Sequence, residues 1–422
     1  MHQGKLKFFC FHRARGADSI ELLVVEIPEF NTSTVQDQPT TLGVPIMHQH
    51  ITVEEFAPEV RMTHRLTGRY SDLSINIILA CRAFQAYVLS KIDYVGSGVY
   101  LREEVLEPVA VATRRYFRKI YGLPPWSRNT YVQLPVELGG AGAPDLAVRQ
   151  HIKLFQSYMQ ASYSRNELAQ AAVLALATTE DGISEVHELR ASLGREKIQM
   201  LTPRHAALEQ PAVVVEGDLK ALWMEETIMA STDGALHGHR HACGAVLVGA
   251  GTGNQVTVSM AYCAMDTEPI VPETMARYMV IDVLWGWKGQ LHMASDSASA
   301  MWRKYTSMPM KDTVLSMVFR HFAAEIANKH IVEYWHRAQH TTQGSDWLAR
   351  LNAGAHALAQ GALRRSRPYR VPFMGRLPAT VWGFHQGNLV VRPTKVVDGL
   401  YQSVVVDKHY TEIRSAWQHW DG

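Results

Sequence analysis

The order of predicted strands and helices between residues 211 and 365 constrains the fold more than any other feature of the sequence. Three strand-like segments come first, at 226–235, 242–251 and 255–263. They are followed by a helix beginning at Pro272 and a strand at 290–297 with a helix directly after it. A second long helix at 311–328, a strand at 330–338 and a last helix at 346–361 complete the order. Consecutive strands followed by alternating helices and strands predict one mixed sheet surrounded by helices, which is an α/β domain.

The rest of the chain has a different pattern of predicted secondary structure. Residues 1–50 contain short strand-like segments, and residues 51–210 are mostly helical because apolar residues recur at the spacing of one helix face. Between residues 101 and 121 that face comprises Leu106, Val109, Ala110, Thr113, Tyr116 and Phe117. The proline-containing end, 366–422, is expected to be a loosely organised tail with one hairpin. We therefore predict four regions, 1–50, 51–210, 211–365 and 366–422.

Composition excludes several classes of protein. Hydrophobic residues make up 47% of the 422 residues and charged residues 19%, which argues against a disordered protein or a coiled-coil rod. A net charge of +2 argues against a globally basic nucleic-acid coat, and the four cysteines include no CxxC pair that would indicate zinc. There is no apolar run of about 18 residues and no signal-peptide core at the amino terminus. We expect an intracellular protein, cytoplasmic or nuclear, with no membrane partner.

Three spaced carboxylates are the main chemical feature of the α/β region. Asp233 follows a predicted strand in STDGA, Glu273 opens a predicted helix, and Asp296 ends another strand in ASDSASA. Each acid alone has an ordinary explanation as a turn, a helix-end charge or a cap. Together they predict a site for Mg²⁺ or Mn²⁺, the hard cations that prefer oxygen ligands. Asp266 and Glu268 compete with Glu273 for the role of second acid.

These segments resemble the motifs of type 1 ribonuclease H. STDGA, PETMA and ASDSASAM resemble its first three acidic motifs, HACGAVLVGAG its second strand, and EYWHRAQH its late strand with the mobile histidine that follows. The resemblance implies a ribonuclease H-like mixed five-stranded sheet, a Mg²⁺ or Mn²⁺ cofactor, and hydrolysis of the RNA strand of an RNA–DNA hybrid. It also implies Asp233, Glu273 and Asp296 as metal ligands and catalytic residues, with His340 as an auxiliary catalytic group.

The closing helix departs from the family pattern. NAGAHALAQGA is similar to the family's last helix, in which an Asn is followed four residues later by a fourth acid. Here Asn352 is followed by His356. The resemblance therefore implies His356 at the fourth metal-ligand position and Asn352 as a nucleic-acid contact, and a neutral imidazole in place of a carboxylate weakens a Mg²⁺ site. Asp346, in SDWLARL, offers a second register for the missing acid.

The segment HGHRH, residues 237–241, places histidines at three alternating positions. Alternation along a strand would put all three on one face, where they could bind a metal ion. We favour a solvated hairpin turn between two strands, with a contact to the nucleic-acid backbone as an intermediate interpretation.

The first half of the chain resembles another family. GKLKFFCF and TTLGVPI, in residues 1–50, resemble the palm segment that follows the catalytic motif of a non-LTR retrotransposon reverse transcriptase. RRYFRKIYGLPPW and LPVELGGAGAPDL are similar to the thumb and connection that come after it. Both resemblances together span about residues 4–362. The polymerase site of that family uses a paired Asp-Asp, and this chain contains no such pair. We therefore expect a retroelement fragment without polymerase activity, for which the missing polymerase part is a candidate partner.

A basic helix face lies in the thumb-like stretch. Residues 61–130 hold eleven basic and five acidic residues. Arg114, Arg115, Arg118 and Lys119 share a helix face that suits phosphate contacts, and a solvated helix face explains them equally well.

These observations leave three functional hypotheses. The first is an RNA–DNA hybrid endoribonuclease behind a reverse-transcriptase thumb. The second is a catalytically degenerate remnant that binds nucleic acid without cutting it, favoured by His356. The third is a purely structural role without affinity for nucleic acid.

Overall fold

The computed structural model describes residues 76–97, 100–164, 191–201, 213–300, 313–335, 347–364 and 382–418, with short stretches and single positions elsewhere before residue 174. The chain separates into two compact units, residues 1–51 and 52–422. No helix in these stretches combines the length and the apolar character needed to cross a membrane.

The first unit contains two short strand pairs. β1 (Phe9–Arg13) pairs antiparallel with β2 (Ile20–Val24), and β3 (Thr40–Thr41) pairs with β4 (Val44–Pro45). Short strands are therefore present in residues 1–50, as expected.

The second unit begins with helices, as predicted. They are α1 (Ile77–Phe84), which continues through a π-helical turn (Gln85–Leu89) into α2 (Ser90–Gly96), then α3 (Glu103–Ile120), α4 (Asn129–Gln133) and α5 (Leu146–Tyr163). The apolar face predicted for α3 is confirmed, since all six of its members are buried. Helix α1 buries Ala80 and Phe84, whereas Ile78 and Leu79 are 61% and 55% exposed.

A six-stranded mixed sheet forms the centre of the second unit. The strands are β6 (Val214–Glu216), β7 (Thr227–His237), β8 (Arg240–Gly249), β9 (Gln255–Cys263), β10 (Gln290–Ser295) and β11 (His330–Trp335), arranged in the order β11-β10-β7-β8-β9-β6. Neighbours from β7 to β6 are antiparallel, and β10 and β11 run parallel to β7. The ribonuclease H-like fold class is confirmed. The sixth strand, β6, exceeds the expected five because Val214 pairs with Ser259 at the free edge of β9.

Helices cover both faces of this sheet. They are α6 (Leu219–Trp223), α7 (Ile270–Val283), α8 (Val314–Ala327) and α9 (Trp347–Leu363). Helix α9 packs closely on β8 because Gly244 has no side chain. A Cβ there would lie 2.2 Å from the backbone oxygen of Ala355.

The carboxyl-terminal region is more ordered than the sequence predicts. The expected hairpin is present as β12 (Trp382–His385) and β13 (Asn388–Leu389), and β12 also pairs with β5 (Ile198–Leu201). The long helix α10 (Pro393–Gln418) was not predicted. Its Leu400 and Val404 join one continuous apolar core with α5 and the large sheet. The described members of this core therefore come from all three predicted regions between residues 51 and 422.

Candidate metal centre

The pairing of β10 with β7 brings two of the predicted acids together. Ser295, the last residue of β10, lies opposite Thr232 in the parallel register. The next residues along the two strands are Asp296 and Asp233, which therefore lie side by side where the parallel pairing ends. The sequence placed Asp233 at a strand end, which is wrong for β7 itself, because pairing with β8 continues to His237.

Glu273 reaches the same place from the first turn of α7. The approach depends on Gly234, because a Cβ at that position would lie 2.3 Å from the backbone nitrogen of Glu273. The backbone of Gly234 also hydrogen-bonds the Glu273 carboxylate. The Asp-Gly pair is therefore not a turn but the point where a helix end meets the sheet.

The three acids form one compact cluster. One carboxylate oxygen from each of Asp233, Glu273 and Asp296 lies within 4.8 Å of the other two. Asp233 is only 3% exposed, and the other two are half-buried. Burial, together with the neighbouring carboxylates of Asp233 and Asp296, raises the pKa of Glu273 to about 9 against the lowering effects of the Gly234 backbone hydrogen bond and of Arg277.

These acids fit a divalent cation. Oε2 of Glu273 is buried and has no hydrogen-bond partner among the described residues. A buried oxygen without a donor, beside two further carboxylates, is costly unless a positive charge offsets it. An all-oxygen ligand set suits Mg²⁺ or Mn²⁺ rather than a softer metal.

His356 contacts this cluster through Asp233. Its Nδ1 lies 3.1 Å from Oδ2 of Asp233, and its side chain is 33% exposed. The group of mutually close ligand atoms contains the three carboxylates and not the imidazole. His356 therefore lies beside the acidic cluster and contacts it through Asp233.

Asn352 cannot contact nucleic acid, so this prediction is wrong. The residue is fully buried between α9 and the sheet, where the Ser231 hydroxyl donates to its Oδ1 over 3.3 Å. The resemblance placed Asn352 on the closing helix but could not show that the helix turns this side chain inward.

Other predicted residues lie elsewhere. His340 and Asp346 fall outside the described residues. Asp266 is not a competing second acid, because the Arg392 guanidinium binds both of its oxygens. Glu268 also binds Arg392, at 2.7 Å. The structure brings Glu273, and neither alternative, to the cluster.

Two residues beside the cluster were missed by sequence reasoning. Arg277 is 2% exposed and donates to the Ala300 carbonyl and the Glu333 carboxylate, connecting α7 with β11 and with the segment after Asp296. Trp335 is 54% exposed and its indole nitrogen donates to the Asp296 carbonyl over 3.1 Å. The position of Arg277, four residues after Glu273, was the only available signal, since it indicates the same helix face.

The basic face of α3 is only partly available. Arg114 forms an ion pair with Glu107 at 2.6 Å, and Arg118 donates to the Ser127 carbonyl and the Asn129 side chain, each at 2.7 Å. Arg115 and Lys119 are exposed. Two of the four predicted phosphate contacts are therefore engaged within the protein.

The HGHRH segment is a hairpin turn, as favoured. Register pairing of His237 with Arg240 leaves a two-residue turn, with Gly238 at a φ of 58°. His237 and His239 are exposed, whereas His241 is fully buried and its Nε2 lies 2.6 Å from the Asp266 carbonyl. The three imidazoles therefore do not share one surface.

Comparison with known proteins gives structural similarity only. No protein-family model matches the chain, and no curated protein matches it. It is similar to the N-terminal RNase H domain of a Mycobacterium tuberculosis protein (16% identity, 33% of this chain, 94% of the other, TM-score 0.25). It is similar to RNase H1 of the halophilic archaeon Halobacterium salinarum, with 18% identity over 32% of this chain and 97% of the other, and a TM-score of 0.24. It is also similar to LC11-RNase H1, solved in complex with an RNA/DNA hybrid, with 17% identity over 32% of this chain and 99% of the other, and a TM-score of 0.23. Similarity at this level does not establish an activity.

Proposed function

We propose that the sheet and its helices form a divalent-metal-dependent nuclease that hydrolyses the RNA strand of an RNA–DNA hybrid. The observation that supports this proposal is the convergence of Asp233, Glu273 and Asp296 from two strands and a helix within 4.8 Å. Like charges this close are unfavourable by themselves, so the arrangement is typical of a cation site.

Each acid has a separate role in this proposal. Asp233 and Asp296 each supply a carboxylate oxygen, and Glu273 supplies the buried Oε2 that has no partner in the described part of the chain. When bound, Mg²⁺ or Mn²⁺ supplies water activation and stabilisation of the leaving oxygen in phosphodiester hydrolysis. His356 donates its Nδ1 proton to Asp233 and orients that carboxylate. His340 is proposed to assist proton movement or product release.

We assign substrate binding to exposed cations on helix α3. Arg115 and Lys119 are the exposed cations of the α3 face and suit sequence-independent phosphate contacts. A hybrid would be recognised by its backbone shape and 2′-hydroxyls rather than by base edges. The resemblance of residues 51–210 to a reverse-transcriptase thumb supports a retroelement origin and a polymerase part as partner, and both remain proposals.

The test is cleavage of a labelled RNA–DNA hybrid with Mg²⁺ and with Mn²⁺. We expect RNA-strand cutting in the wild type and none in Asp233→Asn, because that substitution removes a charged ligand. Asp398→Asn changes an exposed acid of α10 and should cut like the wild type. No cutting by the folded wild type with either metal would overturn the proposal.

A second candidate function is binding of the hybrid without cleavage. The contact between His356 and Asp233 favours it, because a histidine occupies the position at which the resembled family has its fourth acid. Retarded migration of the hybrid at low salt, together with an absence of products, would support this candidate.

A further inference from the structure

A cavity that does not include the acidic cluster lies between the β7–β8 turn, the loop after β9, the β12–β13 hairpin and helix α10. Its volume is about 420 Å³, and its lining includes His239, Met265, His385, Asn388 and Ser403. This size falls within the range of small-molecule sites, roughly 300–1,000 Å³.

The cavity contains a buried polar group with an unmet hydrogen bond. His385 is 2% exposed, and its Nε2 has no hydrogen-bond partner among the residues that the structure describes. Leaving such a buried group without a hydrogen bond is energetically unfavourable. Burial also lowers the pKa of His385 to about 4, so the imidazole is neutral near pH 7. A ligand that shares a hydrogen bond with Nε2 would remove this penalty.

The hairpin that carries His385 is held in a fixed conformation. Gln386 and Gly387 have φ values of 50° and 80°, as in a two-residue turn between antiparallel strands. The Gln386 backbone nitrogen donates to the Lys197 carbonyl over 2.9 Å, and its side chain donates to Asp407 over 3.1 Å. The polar edge of the cavity is therefore preformed.

The charged side chains at the cavity neutralise each other. Asp266 forms an ion pair with Arg392, which does not itself line the cavity. Glu268 forms ion pairs with both Arg392 and Lys395. The lining also offers a ligand the imidazoles of His239 and His385, the amide of Asn388 and the hydroxyls of Thr267 and Ser403, beside the apolar Met265 and Val396. Each of these polar groups can donate or accept a hydrogen bond. This lining selects an uncharged molecule with both donors and acceptors on a compact body with apolar faces.

We propose that this cavity binds a nucleobase, as part of a free nucleoside or at the end of a nucleic-acid strand. A base carries donors and acceptors along its edge and has apolar faces, which complements the hydrogen-bonding groups around Met265 and Val396. The proposal is independent of the acidic cluster, so it stands or fails separately from hybrid cleavage.

Glycine positions supply a matched pair of test variants. Gly399 lines the cavity from α10, and a Cβ there would meet nothing within 4 Å, so Gly399→Phe can occupy the cavity without a backbone clash. Gly361 in α9 also has open space at its Cβ and does not line the cavity, so Gly361→Phe is the control. His385→Phe keeps an aromatic ring but removes Nε2, and its melting temperature reports whether it folds.

The experiment is calorimetric titration of the full chain with the four ribonucleosides, with a short single-stranded oligonucleotide and with inorganic phosphate. We expect saturable binding of at least one nucleoside or of the oligonucleotide, and the arm that binds identifies the source of the base. Binding should weaken at least about tenfold in Gly399→Phe and in folded His385→Phe, and should persist in Gly361→Phe and Glu273→Gln. The proposal is overturned by no binding in any base-containing arm, by unchanged binding in Gly399→Phe, or by competition from phosphate that identifies an anion site.

Discussion

The imidazole of His356 and the carboxylate of Asp233 lie 3.1 Å apart, with Nδ1 facing Oδ2. Because an ionised carboxylate only accepts hydrogen bonds, Nδ1 of His356 carries the hydrogen and donates it to Oδ2 of Asp233 in this contact. His356 thus holds a carboxylate at the candidate metal centre and contributes no negative charge to it.

We expect His356→Asp to increase Mg²⁺-dependent cleavage of the hybrid by roughly tenfold or more, the order of effect that groups around a metal site have on its affinity and activity. The added carboxylate strengthens attraction for a hard cation. His356→Asn, which has similar size and no charge, is the control and should not gain activity. Initial rates at several Mg²⁺ concentrations measure the change, and an equal rate in both variants would show that charge at this position is unimportant.

Replacing Glu273 by a neutral residue should stabilise the metal-free protein. Because the pKa of Glu273 is raised to about 9, its carboxyl must take up a proton on folding at pH 7, whereas it is ionised in the unfolded chain. Glu273→Gln avoids this cost, so its melting temperature at pH 7 without divalent ions should exceed that of the wild type. Addition of Mg²⁺ or Mn²⁺ should raise the wild-type melting temperature and leave the variant nearly unchanged, because ions that bind only the folded state stabilise it. An equal metal-induced increase in both proteins would place the ion elsewhere.

Much of the fold was predictable because local patterns determine local structure. Strands β7 to β11 and helices α7 to α9 were predicted within a few residues. An element that buries one face places its apolar residues at a regular spacing, and that spacing can be read from the sequence. The grouping of Asp233 with Asp296 follows from strand register, which the resemblance to type 1 ribonuclease H supplied and periodicity alone did not.

What sequence reasoning missed depends on contacts between distant segments. Both carboxylate oxygens of Asp266 bind Arg392, which lies 126 positions later in the chain, so Asp266 is not available to a metal ion. The burial of Asn352 follows from the rotation of α9 on the sheet. Helix α10 has little apolar periodicity, and it is ordered by packing against α5 rather than by its own pattern.

Gly234 should be intolerant of substitution. Gly234→Ala forces a Cβ against the backbone of Glu273, at a position 2.3 Å from its nitrogen, so α7 must shift away from β7. We expect a loss of stability on the order of 3 kcal/mol and a loss of metal-dependent stabilisation, because Glu273 moves with the helix. Gly361→Ala, with open space at its Cβ, is the control and should be neutral or slightly stabilising. Chemical denaturation with and without Mg²⁺ measures both effects, and a Gly234→Ala variant as stable as Gly361→Ala would contradict the close approach.

Acid should destabilise the protein through His241. Burial lowers the pKa of this imidazole to about 4 from 6.5, against the weaker opposing effect of the Asp266 carbonyl. Above pH 6.5 the ring is neutral in both the folded and unfolded states. Between pH 6.5 and 4 only the unfolded state takes up the proton, so the free energy of unfolding falls as pH falls, by at most about 3 kcal/mol. The comparison is between the melting temperatures at pH 7 and pH 4.5.

His241→Gln should show a smaller acid-induced decrease than the wild type, even though it starts from a lower melting temperature. The glutamine amide can still donate to the Asp266 carbonyl but cannot titrate. His237→Gln changes an exposed imidazole of the same hairpin and should behave like the wild type. His385 also has a pKa lowered to about 4 and contributes equally in all three proteins, so the difference between them isolates His241. An identical acid response in wild type and His241→Gln would mean that His241 accepts a proton as readily in the folded protein as in the unfolded chain.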